Sequence, residues 1–284
     1  MKLALGTVQF GIDYGAFNAS GQTPLSEVRA VLARAKSAGI TVLDTARAYG
    51  AAEDVLAQAA APAQFDIITK CPDLSREADP VAALGAAFET SCRTLGVSQV
   101  YGYLLHNSAD LMRSGVWDAL EALVQEGRVS RIGVSGYEVA EVGALCERFP
   151  ITLTQLPANV LAPWFEAVTL PETVELHVRS AFLQGFLLSD PAHLPTHFQP
   201  WRATLEGFRA QAAAQDLTPL QAALAPLLTS PQISRVVLGV ENLAQLDEIL
   251  QATKIAARRS DVTIGPFPDV TADLTDPRRW NRTK

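Results

Sequence analysis

The 284-residue sequence predicts a single (β/α)8 barrel, in which eight parallel strands alternate with helices around a closed sheet. Short apolar, β-branched runs alternate along the chain with longer Ala- and Leu-rich segments of helical period. The short runs are apolar at every position, as in strands that are buried on both faces. Residues 6–11 after the first run lack the Gly-x-Gly-x-x-Gly pattern that is typical of a doubly wound open sheet. These three observations favour the closed barrel.

The individual elements follow from these runs in chain order. We expect strands at residues 3–5, 41–44, 67–70, 103–106, 132–135, 153–156, 174–180 and 236–240. We expect helices at residues 26–38, 53–60, 81–95, 116–125, 141–147, 203–215, 219–228 and 243–252. Ser26 and Asn242 are candidate helix N-caps, and Gly39 and Gly127 are typical of residues that end a helix. Residues 157–171 and 188–200 are predicted as loops on the C-terminal face of the barrel, and residues 263–284 as an extended tail of the same domain, which spans residues 1–284.

Composition excludes several classes of protein. The formal net charge of −7 argues against a nucleic-acid partner, because binding to phosphates requires a basic surface. Hydrophobic residues make up 48% of the chain, which excludes intrinsic disorder. Cys71, Cys92 and Cys146 are odd in number and far apart, so they predict neither a disulfide framework nor a metal site. Neither a signal peptide nor a membrane span is recognisable, and we expect a cytoplasmic protein that is a monomer by default.

Polar side chains stand where several predicted strands end. The second strand ends at Asp44 and is followed by Tyr49, the third ends at Lys70, and the fourth ends at His106. Taken singly, such an Asp is typical of a turn cap and such a His of a structural residue, whereas a buried Lys is rarer. The C-terminal ends of barrel strands meet on one rim. We therefore expect these four side chains to surround a single cavity.

In this order and spacing, the four residues resemble those of the aldo-keto reductase family. The likeness covers nearly the whole chain and is carried by residues 5–11 (LGTVQFG), 44–50 (DTARAYG), 68–70 (ITK), 104–106 (LLH), 133–135 (GVS) and 179–185 (RSAFLQG). The GTVQFG start is similar to that of short bacterial members. The resemblance implies a (β/α)8 barrel that transfers hydride between NAD(P)(H) and a carbonyl or alcohol substrate.

The resemblance also implies a role for each of the four residues. Hydride transfer to a carbonyl leaves negative charge on its oxygen, which a proton donor and fixed dipoles must meet. Tyr49 is the implied general acid, and the ammonium of Lys70 is expected to lower its pKa from about 10. Asp44 is expected to hold Lys70 in its charged form. His106 is expected to donate a hydrogen bond to the carbonyl oxygen.

Cofactor contacts are implied on the same rim. They are Thr7, Asp44, Ser135, Gln155, Arg179, Ser180, Phe182, Gln184, Gly239, Glu241, Gln245 and Glu248. Arg179 stands where many members stack an aromatic residue on the nicotinamide. Gly136 and Ile249 each replace a usual Asn, which removes two common contacts.

The identity of the cofactor depends on Glu241. The family favours NADP(H), but an anionic Glu241 would repel a 2′-phosphate and could accept a hydrogen bond from the free 2′-hydroxyl of NAD(H). Glu241 pointing into solvent is the alternative. The nearest basic residues that could neutralise a phosphate are Arg235, Lys254, Arg258 and Arg259.

Loop aromatics are expected to select a small-molecule carbonyl substrate. They are found in residues 9–14, in residues 164–165 and in residues 193–201, and their mixture with polar residues suits a sugar or sugar derivative. Two other classes of function stay open. A barrel lyase would form a Schiff base through Lys70, although Asp44 favours the charged amine. A catalytically silent relative would bind the nucleotide as a sensor or as a subunit.

Overall fold

The strands close into a barrel in which each pairs with its neighbours in chain order. In the computed structural model, which describes residues 1–168 and 170–280, all eight strand pairings are parallel and β1 pairs with β8. The strands are β1 (Leu3–Gly6), β2 (Val42–Asp44), β3 (Asp66–Cys71), β4 (Val100–Leu105), β5 (Val129–Ser135), β6 (Leu153–Pro157), β7 (Glu175–Arg179) and β8 (Ile233–Gly239). The predicted fold class is confirmed, and each predicted strand overlaps an observed one.

Alternation along each strand divides the apolar residues between two layers. Ala4, Val42, Ile68, Leu104, Leu153 and Val237 point inward and form a small core that fills the barrel. The alternate residues, such as Leu5, Leu43 and Ile67, point outward into the main core beneath the helices. Strands that are buried on both faces carry no polar alternation, which explains why their sequences are continuously apolar.

The helices surround the barrel and connect the strands. They are α1 (Val8–Gly11), α2 (Leu25–Ser37), α3 (Ala52–Gln58), α4 (Pro80–Leu95), α5 (Val116–Gln125), α6 (Val139–Arg148), α7 (Arg202–Ala213), α8 (Pro219–Thr229), α9 (Leu243–Ala256) and α10 (Ala272–Thr275). Among the described residues, β6 and β7 are joined by a loop with a single 3₁₀ turn, Trp164–Glu166, rather than by an α-helix. No helix within these residues is long and apolar enough to cross a membrane.

Helix ends test four of the sequence predictions. Asn242 caps α9, because its side chain accepts a hydrogen bond from the Gln245 N–H at 2.9 Å. Gly39 and Gly127 follow α2 and α5 with φ values of +83° and +70°, which favour glycine. The prediction for Ser26 is wrong, since α2 already begins at Leu25. The flanking residue is Pro24, whose fixed φ suits that place and whose carbonyl accepts the Val28 N–H.

The C-terminal tail differs from the extended segment that the sequence predicts for residues 263–284. It contains α10 and a 3₁₀ turn, Pro277–Arg279, while residues 281–284 lie outside the described part of the chain. Leu274 and Trp280 are buried in a second hydrophobic cluster together with Phe198 and Phe208. The Trp280 ring meets Phe198 edge-on at 4.9 Å, and its Nε1 donates to the Leu274 carbonyl. Burial of these two side chains explains why the tail folds back.

Candidate active site

Three of the four predicted residues stand at or directly after the ends of neighbouring strands, and the fourth lies in the loop beside them. Asp44 ends β2, Lys70 lies near the end of β3, and His106 directly follows β4. The loop of residues 45–51, between β2 and α3, carries Tyr49. Lys70 has the same strand parity as the inward-facing Ile68, so its side chain enters the barrel. The expected convergence on one rim is therefore found in the structure.

Lys70 is the centre of this cluster. Its Nζ lies 2.8 Å from each carboxylate oxygen of Asp44, 2.9 Å from the Thr45 carbonyl oxygen and 3.3 Å from the Tyr49 hydroxyl. The Lys70 side chain is 0% exposed, and a buried ammonium persists only with such partners. The ammonium can thus act on the phenol of Tyr49 without competition from water.

The direction of each pKa shift follows from burial and from this ion pair. Burial lowers the pKa of Lys70, but the charge of Asp44 and the hydrogen bonds to Asp44 and Tyr49 outweigh it, so the pKa is raised and the amine stays charged. Burial raises the pKa of Tyr49 by more than the charge of Lys70 lowers it. Lys70 thus lowers the pKa of Tyr49 as expected, but burial outweighs this contribution, so the phenol stays protonated at neutral pH.

His106 completes the group of titratable side chains. Its ring meets the Tyr49 ring edge-on, with 5.9 Å between the centroids and 80° between the planes. Burial, together with the nearby charges of Lys70 and Arg179, lowers the pKa of His106 to about 4. The imidazole is therefore neutral at pH 7, with one N–H that can donate a hydrogen bond.

These side chains open into a cavity of about 750 Å³ at the C-terminal end of the barrel. Its size lies within the usual range for small-molecule and cofactor sites. Tyr49, His106 and Asp44 line it. So do most of the predicted cofactor residues, namely Thr7, Arg179, Ser180, Phe182, Gln184, Gly239, Glu241, Gln245 and Glu248.

Ser135 and Gln155 are the predicted cofactor residues that the structure does not place on the cavity lining. Both are buried, at 3% and 1% exposure. Gln155 Nε2 instead donates to Asp44 Oδ1 at 2.8 Å. This contact places Gln155 behind the ion pair, where it orients the carboxylate. Gln155 Oε1 is buried and has no partner among the described residues.

Arg179 is fixed against the wall of the cavity. One Nη donates to the Gly136 carbonyl at 3.0 Å, and the guanidinium lies 4.2 Å from the centre of the Tyr137 ring. Arg278 of the tail lies 3.7 Å from the centre of the same ring. Tyr137 also lines the cavity and was not among the residues predicted from the sequence. Its position two residues after Ser135, at a strand end, is the signal that could have identified it.

Close packing explains why residue 136 is a glycine, at the position where the resembled family usually has Asn. A Cβ on Gly136 would lie 2.5 Å from Val142 Cγ2 on α6. A larger residue would therefore require the Val142 side chain or the helix that carries it to shift. The difference from the family pattern follows from how closely this helix packs.

Gln184 joins two loops beside the cavity. Its Oε1 accepts the Ala16 N–H at 3.0 Å, and its Nε2 donates to the Tyr14 hydroxyl at 3.2 Å. These bonds connect the loop after β7 to the loop after β1. Gly185 has a φ of +105°, and a Cβ there would lie 2.9 Å from Phe17 Cβ, so the two loops are in close contact.

Glu241 is half-buried and lines the cavity. The backbone N–H of Glu241 donates to Gln245 Oε1 at 2.8 Å. None of the four basic residues that the sequence suggested as phosphate partners is part of the lining; of the described lining residues, Arg179 alone is a Lys or an Arg. The described lining thus offers Glu241 no basic side chain other than Arg179.

The aromatic loops differ from the sequence prediction. Phe10 and Phe165 are buried, and Trp164 Nε1 donates to the Pro157 carbonyl. Within residues 193–201, Leu194 and Phe198 pack into the second hydrophobic cluster, and none of these nine residues lines the cavity. Of these predicted loop residues, Gln9 and Tyr14 line the cavity, whereas Phe10, Phe165, Leu194 and Phe198 are buried, because burial of large apolar side chains takes precedence.

The described part of the chain does not provide a set of side chains that could bind a metal ion. No group of three or more His, Cys, Asp and Glu side chains there is arranged to hold a metal ion. The cavity instead combines an ion pair, a phenol and a neutral imidazole, which together can deliver a proton to an oxygen and stabilise negative charge on it.

Comparison with known proteins agrees with this geometry. Over 110 residues, the chain is 43% identical to the uncharacterized oxidoreductase YtbE of Bacillus subtilis (strain 168), a match that covers 37% of this chain and 39% of YtbE. Over 180 residues, it is 31% identical to an aldo-keto reductase of Mycobacterium sp. (strain KMS), covering 60% of this chain and 64% of that protein. The chain thus matches less than two thirds of the length of these curated relatives.

Solved structures show the same fold. The aldo-keto reductase AKR11C1 from Bacillus halodurans (holo form) superposes with a TM-score of 0.71 over 94% of each chain, at 21% sequence identity. At that identity the likeness concerns the fold alone. The model of the Aldo/keto reductase family matches residues 2–264, which is most of the chain. The chain therefore belongs to the aldo/keto reductase family.

Proposed function

We propose that this chain is an NAD(P)(H)-dependent oxidoreductase that transfers hydride between the nicotinamide and a carbonyl or alcohol substrate. The observation that carries the proposal is the contact between Tyr49 and Lys70. The Tyr49 hydroxyl lies 3.3 Å from an ammonium that Asp44 holds, at the lining of a large cavity. A phenol next to a buried cation suits proton transfer to a carbonyl oxygen, because the cation stabilises the phenolate that remains.

The cavity fits a dinucleotide cofactor by its polar lining. Gln9 lines the cavity, and its Oε1 is a buried acceptor without a partner among the described residues; such an atom requires an N–H or O–H donor. A nicotinamide carboxamide and ribose hydroxyls supply such donors. The lining residues that would hold the cofactor are Thr7, Asp44, Arg179, Ser180, Phe182, Gln184, Gly239, Glu241, Gln245 and Glu248, whereas Ser135 and Gln155 lie off the lining, with Gln155 bonded to Asp44 behind it.

When bound, the nicotinamide supplies or accepts the hydride. In reduction, Tyr49 gives its hydroxyl proton to the substrate oxygen as the substrate carbon gains the hydride. Lys70 then stabilises the Tyr49 phenolate from 3.3 Å, and the positive charge of Arg179 also favours it. His106 donates its N–H to the carbonyl oxygen and orients the substrate. In oxidation, the phenolate takes the proton of the alcohol.

The choice between NAD(H) and NADP(H) follows from Glu241 in this proposal. A 2′-phosphate near an unpaired carboxylate is repelled, whereas a free 2′-hydroxyl can donate a hydrogen bond to it. The family favours NADP(H), while the charge of the lining around Glu241 supports NAD(H).

The substrate we propose is a small carbonyl compound, with sugars and sugar derivatives as the class to test first. Tyr14 and Tyr137 line the cavity and bring phenol groups to it. Such a lining suits polyhydroxylated molecules. A Schiff-base lyase is disfavoured, because Lys70 has a raised pKa and its ammonium protons are engaged by Asp44, Thr45 and Tyr49.

The test is a screen of small aldehydes and sugars with NADH and NADPH, followed at the nicotinamide absorbance. We expect turnover by the wild type, and a fall in kcat of at least about 10²-fold in Tyr49→Phe with an unchanged Kd for the cofactor. Tyr101→Phe removes a phenol that bonds Glu175 away from the cavity lining and serves as the control. Full activity of Tyr49→Phe would contradict the role of Tyr49. Tight cofactor binding without turnover of any carbonyl would identify a silent relative.

A further inference from the structure

Glu53 is a buried carboxylate that the proposed chemistry does not use. It lies in the first turn of α3, is 1% exposed, and is absent from the cavity lining. Burying a carboxylate is unfavourable unless it is paired and hydrogen-bonded. The identity of its partners therefore indicates what it does.

Both partners belong to the segments that carry the site. Glu53 Oε1 accepts from Thr69 Oγ1 at 2.7 Å, and Glu53 Oε2 accepts from Arg47 Nη1 at 3.1 Å. Thr69 directly precedes Lys70 on β3, and successive residues of a strand point to opposite faces. One strand thus presents Lys70 to Tyr49 inside the barrel and Thr69 to Glu53 outside it.

The loop that carries Tyr49 has few other strong ties to β3. At its start, the Thr45 N–H donates to the Ile68 carbonyl at 2.8 Å and the Thr45 carbonyl accepts from Lys70 Nζ at 2.9 Å. Further along, the Arg47 N–H is 3.4 Å from the Lys70 carbonyl, near the limit for a hydrogen bond. Glu53 binds the loop through Arg47 on one side of Tyr49 and enters α3 on the other side.

We propose that Glu53 is a positioning residue that holds the Tyr49 loop against β3 and thereby sets the distance between the Tyr49 hydroxyl and Lys70 Nζ. That distance is 3.3 Å, against 2.8 Å from Nζ to Asp44, so a small displacement of the loop breaks the contact with Tyr49 first. The inference rests on the proposed function of Tyr49 as the proton donor. It extends the machinery to a carboxylate that touches neither substrate nor cofactor.

Glu53→Gln is the first test. A glutamine can still accept from Thr69, but its NH₂ group then faces the N–H donors of Arg47, so the tie to the loop is lost. We expect kcat to fall about 10- to 100-fold, the range given by loss of a charge-assisted hydrogen bond or by a small misplacement of a reacting group. The Kd of the cofactor is expected to change less than about twofold. Arg47→Met removes only the partly exposed half of the interaction, so it covers the case in which Glu53→Gln does not fold.

A second readout does not depend on turnover. Titration of the Tyr49 phenol, taken as the spectral difference from Tyr49→Phe, is expected to move to higher pH in Glu53→Gln, because the ammonium of Lys70 lowers the pKa of Tyr49 only at short range. The other charged or titratable groups that face Tyr49 are Asp44, Arg179 and His106, and neither variant alters them.

The controls separate positioning from general destabilisation. Glu89→Gln breaks a carboxylate–arginine pair with Arg128 on the outside of the barrel, and it should leave kcat and the Tyr49 titration unchanged. An unshifted Tyr49 titration in both Glu53→Gln and Arg47→Met would overturn the proposal even if activity fell. If the Tyr49 titration shifts in the two variants but the wild-type protein reduces no carbonyl, the positioning of Tyr49 is supported and only the proposed function is refuted.

Discussion

Replacing Lys70 by Met would leave Asp44 buried without its cation. Lys70 Nζ is 2.8 Å from both carboxylate oxygens, a separation at which the attraction is about 6 kcal/mol at an effective dielectric constant of about 20. Asp44 would keep only the bond from Gln155 Nε2. A buried carboxylate without a cation takes up a proton instead, which costs an ordinary aspartate about 4 kcal/mol at pH 7 and about 1.5 kcal/mol at pH 5. We expect Lys70→Met to lower the free energy of unfolding by these amounts.

Urea-induced unfolding at these two pH values measures the effect. The double variant Asp44→Asn/Lys70→Met removes both charges, and it should recover most of the stability at pH 7 while remaining inactive, because Tyr49 still lacks its cation. Arg34→Met breaks an exposed ion pair with Asp247 and should change the free energy of unfolding by less than about 1 kcal/mol at either pH. A loss that is equal at both pH values, or that Asp44→Asn does not recover, would refute the reasoning.

The remaining predictions concern Tyr49, Glu241 and Gly136. Because the pKa of Tyr49 is raised, kcat for reduction should be constant between about pH 6 and about pH 9 while kcat for oxidation rises; an oxidation optimum near pH 7 would contradict this. Glu241→Ser should raise kcat/KM for NADPH about tenfold and leave that for NADH within about twofold, and an unchanged NADPH value would show that Glu241 does not face the 2′ position. Gly136→Asn should destabilise the fold by about 1–3 kcal/mol, measured by thermal unfolding. Adding Val142→Ala to Gly136→Asn should restore part of that loss, and a Gly136→Asn variant as stable as the wild type would disprove the close contact.

The barrel could be predicted from the sequence because its strands are buried on both faces, which leaves an unbroken apolar run for each. The ends of elements were harder to predict where two residues could serve the same purpose. Pro24 and Ser26 both suit a helix start, and the fixed φ of Pro24 decided between them. The tail was misjudged because its folding depends on contacts with residues distant in sequence, such as that of Trp280 with Phe198.

The inward half of the site was predictable and the outward half was not. Asp44, Lys70 and His106 interrupt apolar strands at their ends, where a polar residue stands out. Glu53 lies in the first turn of a helix, where an acidic residue is common, and only the structure reveals its bond to Thr69. The contribution of burial to the pKa of Tyr49 could not be predicted for a related reason, since the depth of burial of a loop residue cannot be deduced from sequence spacing.

The aromatic residues of the loops bear on the nature of the substrate. Phe186, Phe198 and Trp280 are buried in the second cluster, so their aromatic faces are not available to a ligand. The aromatic residues that do line the cavity, other than His106, come from the loops after β1, β2, β5 and β7, and they are Tyr14, Phe17, Tyr49, Tyr137 and Phe182. Three of these five carry a phenol hydroxyl, so the lining offers hydrogen bonds as well as ring faces. The case for a polyhydroxylated substrate therefore depends on these tyrosines and no longer on residues 193–201.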